Sequence, residues 1–472
     1  MDFLSILPEQ DQLKIKILEL VLSLSNDDVR NDVIREHLAI SNYKFEESIN
    51  GINNDTEIIL QQKALTIEQN WLVVEPCVSR ALIQQLRAYY FKFAPLQILI
   101  DNTLHQNRYP RAQELEVSFG WSRTYYSKQK RLLKDLQIDQ WHTYAEITTR
   151  QFIFSLYTYF GYKLTIENNV EQLKIQKLVA LTTKSQLSPN QQQQAELLMA
   201  IMLIRMSVPT REIITTNLWV SPSVGLVKQF SVILECDTQR ATIEAQLLLQ
   251  ILFEQGLLVD ELMTSLQIKA DYNTELATIV DIITHNMQLL LQTGSQTKQQ
   301  EFVKSATQII FSELYTQGFA AEFDITRTRY FEDIYPTLNR LVNKVIKALL
   351  EQHVLTEQYQ IDRIYFKLMS YILVSDFDIS QFDQIEVCFD FSGGQYVNQF
   401  MIETFKTYIN INVVISTHVT KTTDIYLGDY FNDQLLIEQL IWVKPPTAMD
   451  WAKLGDMIAQ AKISKYRHVK EE

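Results

Sequence analysis

Apolar positions recur at the three-to-four-residue spacing of amphipathic helices over most of the chain, and alternate as in strands mainly near its end. Leu13, Ile17, Leu20, Val21 and Leu24 mark a first helix, and Val33, Ile34 and Leu38 a short second one. Ser41 or Asn42 is placed to cap a third helix through Tyr43, Phe45, Ile49 and Ile52. Ala64 to Val74, with Leu65, Ile67, Trp71, Val73 and Val74, reads as a two-stranded wing. Residues 1–75 therefore have a winged-helix outline. The third helix sets Glu46, Glu47 and Asp55 against Lys44, a balance that phosphate repels. Packing against the next module is its expected role, with Asn42, Tyr43 and Lys44 as its weaker candidates for touching DNA.

Residues 76–163 continue in helices. Leu82, Leu86, Tyr89 and Tyr90 begin one, and Leu96, Ile98 and Leu99 another. Tyr109-Pro110-Arg111 opens a short helix carrying Leu115, and Val117-Ser118-Phe119-Gly120 reads as a turn. A further helix runs from Trp121 to Leu136, capped by Ser122, with Trp121, Tyr125, Leu132, Leu133 and Leu136 on its inner face. Residues 164–272 and 273–382 look alike, as two runs of amphipathic helices, and suggest a duplicated bundle. Leu276, Ile279, Val280, Ile283 and Leu290 open the second.

Residues 383–472 change character. Ile385, Val387 and Phe389 alternate as a strand, followed by Ser392-Gly393-Gly394 and a helix through Phe400, Ile402, Phe405 and Tyr408. Val413 to Ile415, Ile425 to Leu427 and Ile437 to Trp442 give three more strands. Lys444-Pro445-Pro446 precedes a last helix holding Trp451, Leu454, Met457 and Ile458. Strands alternating with helices predict a small α/β domain with a largely parallel sheet.

A length of 472 residues predicts about three to five domains. Only 11 glycines and 10 prolines occur, which favours helices joined by short loops. The net charge is −13, so any nucleic-acid-binding surface must be a local departure from an acidic background. One stretch departs: residues 121–134 read WSRTYYSKQKRLLK, with Arg123, Lys128, Lys130, Arg131 and Lys134 and no acidic residue. Cations of this kind neutralise phosphates, while Arg123, Thr124 and Gln129 are the candidates for reaching base edges. Arg111, Ser122, Tyr126 and Ser127 complete the candidate DNA-binding set. A solvated basic face is the plainer reading of the same helix, and the short helix and turn before it weigh toward DNA.

Catalytic and metal motifs are absent from the sequence, and neither a cofactor nor a metal is expected. Cys77, Cys236 and Cys388 form no CxxC pair and suit free thiols in a reducing compartment. No basic leader and no long apolar run appear, so a cytoplasmic, non-membrane protein is expected. Ser392-Gly393-Gly394 before a helix is read as an anion cradle or, more simply, as an ordinary strand-to-helix turn.

The order of two N-terminal DNA-binding modules, two helical bundles and an α/β end resembles the Mga/AtxA class of transcription regulators from Gram-positive bacteria. Phe119 to Leu136 looks like the recognition helix of the Mga-type helix-turn-helix. Ile334-Tyr335-Pro336-Thr337-Leu338-Asn339-Arg340-Leu341 looks like the motif of the phosphotransferase regulation domain, the PRD. The C-terminal domain is similar to enzyme IIB components of the sugar phosphotransferase system. The resemblance implies a multidomain, mainly α fold: a winged-helix module (1–75), a Mga-type helix-turn-helix domain (76–163), PRD-like bundles (164–272 and 273–382) and an enzyme IIB-like α/β domain (383–472).

It further implies a homodimeric, non-enzymatic regulator, expected as an activator, bound to double-stranded DNA and linked to phosphotransferase-system proteins. The C-terminal half is the expected site of self-association, with Ile441, Trp442, Trp451 and Leu454 as candidates, although a core role suits them equally. The regulatory bundles of this family are often phosphorylated on histidine, and the candidate phosphorylation sites here are His285 and His353, neither inside the motif, where Asp333 stands seven residues before Arg340. His285 itself, flanked by Ile283 and Met287, reads as a partly buried structural residue. Phe391 and Ser392 fill the place of the enzyme IIB cysteine, which weighs against the alternative of a phosphotransferase carrier. A second alternative, an RNA-binding antiterminator, would begin with a β-rich domain, whereas this N-terminus reads as helical.

Overall fold

The computed structural model describes residues 3–466 apart from 25–27, 107–109, 136–144, 163, 165, 167, 209–214, 216–217, 260, 263–266, 316–329, 356, 376 and 409–411. The protein is mainly helical, with a small parallel sheet near its C-terminus. Two compact units divide it. One spans Met1–Ala270, and the other opens at Asp271 and carries the remaining described residues.

The first unit begins with α1 (Glu9–Ser23), α2 (Asn31–Leu38) and α3 (Asn42–Leu60). Ser41 is the cap that the sequence suggested, its Oγ accepting the Lys44 N–H at 3.2 Å. The two expected strands are present as β2 (Leu65–Glu68) and β3 (Trp71–Val74), and a third, β1 (Asp28–Arg30), pairs on the far side of β3. Three residues are too few to show an alternation, so β1 left no pattern to read. Next come α4 (Arg80–Phe93), α5 (Pro95–Gln106), α6 (Ala112–Phe119), α7 (Arg123–Asp135) and α8 (Glu146–Tyr159). The acidic α3 is tied inward. Asp55 accepts from Lys14 on α1 at 2.8 Å and from the Tyr90 hydroxyl on α4 at 2.7 Å.

A bundle follows: α9 (Asn169–Thr182), α10 (Pro189–Arg205), α11 (Val224–Leu234) and α12 (Thr238–Glu254), with a two-residue ladder of β4 (Val220–Ser221) and β5 (Gln267–Ile268) beside it. A buried chain of five charges joins α8, α10 and α12. Glu146 accepts from Arg205 at 2.8 and 2.9 Å and from Arg150 at 3.0 Å. Arg150 grips Glu244 with two N–H groups at 2.6 and 3.1 Å, and Arg240 reaches Glu244 at 2.8 Å. Burial alone would push the Glu146 carboxyl up. The hydrogen bond from Arg205 and the charges of Arg150 and Arg205 outweigh it and hold that carboxyl below the ordinary value.

The second unit contains α13 (Asn273–Asn286), the short α14 (Gln288–Leu291), α15 (Gln296–Tyr315), α16 (Tyr330–Ile334), α17 (Pro336–Glu351) and α18 (Gln358–Val374). One local contact of the first bundle has a counterpart here. Arg240, third residue of α12, donates to the carbonyls of Arg205 and Val208, at and beyond the end of α10. Gln360, third residue of α18, donates in the same way to Glu313 and Leu314 near the end of α15. Each bundle also buries a carboxylate among cations, Glu313 meeting Arg363 and Lys367 of α18 in the second.

The α/β end is a four-stranded parallel sheet in the order β7-β6-β8-β9, formed by β6 (Ile385–Asp390), β7 (Val413–Ser416), β8 (Thr423–Gly428) and β9 (Glu438–Ile441). Helices α19 (Gln395–Tyr408) and α20 (Ala448–Tyr466) complete it. Ile385, Val387 and Phe389 face a core with Phe405, Leu427 and Leu454. Trp442, Trp451 and Leu454 belong to this core, and Ile441 is half-buried. Of the two roles the sequence left open for these residues, packing in the domain core is the one that Trp442, Trp451 and Leu454 take. This domain meets α16 and α17 through two buried charges. Asp383 accepts from the Thr337 N–H at 3.0 Å and from its hydroxyl at 2.6 Å, capping α17 from outside. Lys462 donates to the Ile334 carbonyl at 3.2 Å.

Candidate nucleic-acid interface

Helices α5, α6 and α7 pack together around Leu99, Leu115, Trp121 and Leu133. The turn between α6 and α7 is tighter than the sequence suggested. Val117, Ser118 and Phe119 still belong to α6, which leaves only Gly120-Trp121-Ser122 between the helices. Gly120 ends α6 in the left-handed region at φ 67°, where a side chain is strained. Its N–H closes on the Glu116 carbonyl at 3.0 Å. Trp121, expected inside the second helix, lies before it and buries its indole edge-on to Tyr125. Ser122 caps α7, its Oγ accepting the Tyr125 N–H at 3.1 Å. The Tyr126 hydroxyl donates to the Pro110 carbonyl at 2.9 Å and locks α7 to the start of α6. Tyr109 and Leu136 lie outside the described residues.

At about 100° per residue, Tyr126, Gln129 and Leu133 share one side of α7, and this is the side the packing covers. Gln129 is buried, which corrects its expected place among the base-reading residues. Tyr125 and Leu132, expected to face inward, are exposed. The inner stripe is rotated by one position relative to the expected one, because Gln129 rather than an apolar residue occupies its centre.

The opposite side of α7 presents Arg123, Thr124, Ser127, Lys128, Arg131 and Lys134, all exposed. Lys130 is exposed on its flank. Among the described residues, no salt bridge engages Arg123, Lys128, Arg131 or Lys134. Arg123 occupies the first turn, where the helix dipole disfavours a cation, so its placement does not serve helix stability. Arg111 is exposed just before α6, its backbone N–H held by Glu114 at 2.9 Å. Ser127 turns its hydroxyl back to the Arg123 carbonyl at 2.9 Å. The result is a cationic strip about four turns long, with small polar side chains between the cations.

No family model matches this chain, and none of the curated proteins matches it. Among the described residues no helix is long and apolar enough to cross a membrane, and no cluster of histidine, cysteine and carboxylate side chains could hold a metal ion.

The remaining candidate residues lie apart from this strip. His285, read as partly buried, is exposed in the last turn of α13. His353 is exposed just beyond α17, at φ 56°. Ser392 follows β6 at the edge where the strand order reverses, the usual ligand position of an open parallel sheet. An internal anion already takes the Ser392 donors there. Asp429 accepts the Ser392 N–H at 2.9 Å and its hydroxyl at 2.5 Å, and these bonds hold the Asp429 carboxyl below its ordinary value. Cys388 is fully buried inside β6.

The residues that sequence reasoning missed are the buried charges Glu146, Arg150, Arg205, Arg240 and Glu244. Arg205 ends an almost unbroken apolar run, LLMAIMLIR, and Glu244 stands beside another, AQLLLQILF. A lone charge in such a run is the signal that would have found them.

Proposed function

We propose that this protein is a transcription regulator that binds duplex DNA through α7, of the Mga/AtxA type that its domain order resembles. One observation carries the reading: the exposed side of α7, which follows α6 after a three-residue turn, gathers four cations that no salt bridge engages among the described residues, in a chain of net charge −13. A helix about 10–12 Å across fits the major groove, about 12 Å wide. Arg123 and Arg131 supply planar forks for base edges, Thr124 supplies a small hydrogen-bonding group, and Lys128 and Lys134 meet phosphates. The buried Cys388 and the occupied Ser392 donors weigh against a phosphotransfer role for the C-terminal domain.

The test is fluorescence anisotropy of the full chain on duplex DNA selected from a randomised pool. Lys134→Ala is expected to lower the salt slope by about one, and Arg123→Ala to cost about 1–3 kcal/mol with relaxed sequence preference. Gln129→Leu, altered on the buried side, should leave the slope unchanged. Equal binding and equal slopes in all three variants would refute the assignment.

A further inference from the structure

We propose that the groove between α9 and α11 is a docking site for an acidic amphipathic helix of a partner protein. The groove measures about 580 Å³, and Ala180, Leu181, Val232 and Ile233 line it with apolar surface. Gln229 and two lysines, Lys177 on α9 and Lys228 on α11, complete its lining.

The apolar surface is surplus to the fold. Helix α11 packs inward through Leu226, Val227, Phe230 and Leu234. Its outer line then repeats at every fourth residue as Val224, Lys228 and Val232, with both valines more than 70% exposed. On α9, Ile175, Leu178 and Val179 face the core, while Val170 and Leu173 extend the outer apolar line. A polar surface helix has no need of these residues, and leaving them wet forgoes the gain of burying them.

Charge selects the occupant. In a chain of net charge −13, this groove carries lysines on its margins. The neighbouring Glu235 bonds Lys174 at 2.8 Å and also feels the charge of Lys177, but no salt bridge engages Lys177 or Lys228 among the described residues. Two adjacent helices with an apolar furrow accept a third helix through anchors at i, i+3, i+4 and i+7. Carboxylates beside that apolar stripe would reach the two ammonium groups, whereas a basic helix would be repelled. The length of α9 gives room for about three turns.

The test uses the full chain and two fluorescein-labelled three-turn helical peptides with the same leucine stripe, one with glutamates and one with lysines on its polar face. Anisotropy should show saturable binding of the glutamate peptide alone. The Lys177→Glu, Lys228→Glu double variant should weaken it by at least about ten-fold and begin to bind the lysine peptide. Val232→Asp should abolish binding, with the circular dichroism spectrum unchanged because all three sites are exposed. Failure of the glutamate peptide to saturate would overturn the proposal, as would equal binding by the charge-reversed variant. Sedimentation showing a dimer that Val232→Asp dissociates would overturn it too, by assigning the groove to self-association.

Discussion

The five-charge chain in the first bundle makes a prediction that ordinary salt-bridge counting does not. Arg205, Glu146, Arg150, Glu244 and Arg240 alternate in sign and are all buried, so the cluster holds three cations and two anions. Replacing Glu244 by Leu leaves three buried guanidinium groups facing one carboxylate. Deleting one partner of a buried pair costs about 3–5 kcal/mol. Replacing the central Arg150 by Met instead leaves two balanced pairs, Arg205 with Glu146 and Arg240 with Glu244, and fills most of the vacated volume. That change should cost at least about 2 kcal/mol less than Glu244→Leu. Hydrogen exchange of α12 peptides, followed by mass spectrometry, reads the local opening free energy directly. Glu244→Leu should speed exchange about 100-fold or more, and Arg150→Met far less. If Arg150→Met proved as damaging as Glu244→Leu, net charge would not be what governs this cluster, and the reasoning would fail.

Three further outcomes are expected. Gly120→Ala should destabilise the α6–α7 turn by about 1–2 kcal/mol, because its φ of 67° is left-handed while the space around it is open; unchanged exchange in α7 would contradict this. Burial pushes the Lys462 ammonium down to about 8, against the opposing charge of Asp383, so folding carries a cost for holding it charged at pH 7. Lys462→Met should therefore stabilise the second unit by about 1–2 kcal/mol at pH 7, after allowing for the lost bond to Ile334, and the gain should shrink as pH rises from 8 toward 10.5 in urea titrations. Burial raises the Glu313 carboxyl, but the charges of Lys367 and Arg363 outweigh it and hold it below 4.5. Its stabilising contribution should be complete above pH 4.5 and drain away as pH falls further, and a stability that grew on acidification would refute the assignment.

What the sequence discloses and what it hides divide along physical lines. Helices declared themselves where one face was apolar and the other wet, as in α1 and α13, and the strand β6 did so through Ile385, Val387 and Phe389. The cap at Ser41 and the turn at Gly120 were legible because their chemistry is local. Helix α8 obeys no such rule. Glu146, Thr148, Thr149, Arg150 and Gln151 are buried together with its apolar residues, so its polar positions do not mark a solvent side. The partners that make this burial tolerable lie far along the chain: Arg205 is 59 residues from Glu146, and Glu244 is 94 from Arg150. Periodicity cannot report a charge satisfied at that distance.

The same blindness misplaced Gln129, a polar residue on the packed side of α7, and with it the rotation of the whole basic strip. Yet the strip itself needed no distant partner to be seen, since residues 121–134 hold five cations and no acidic residue. The two features are connected in the fold. Helix α7 rests on α5, and α5 is fastened to α8 where the Tyr157 hydroxyl donates to Asp101. The hidden charges therefore brace the helix that the visible charges decorate. Under the proposed function, loosening α8 through Glu244 should cost DNA affinity without touching any residue of α7. A Glu244→Leu variant that opens faster yet binds duplex as tightly as the parent would show that the brace and the strip are independent.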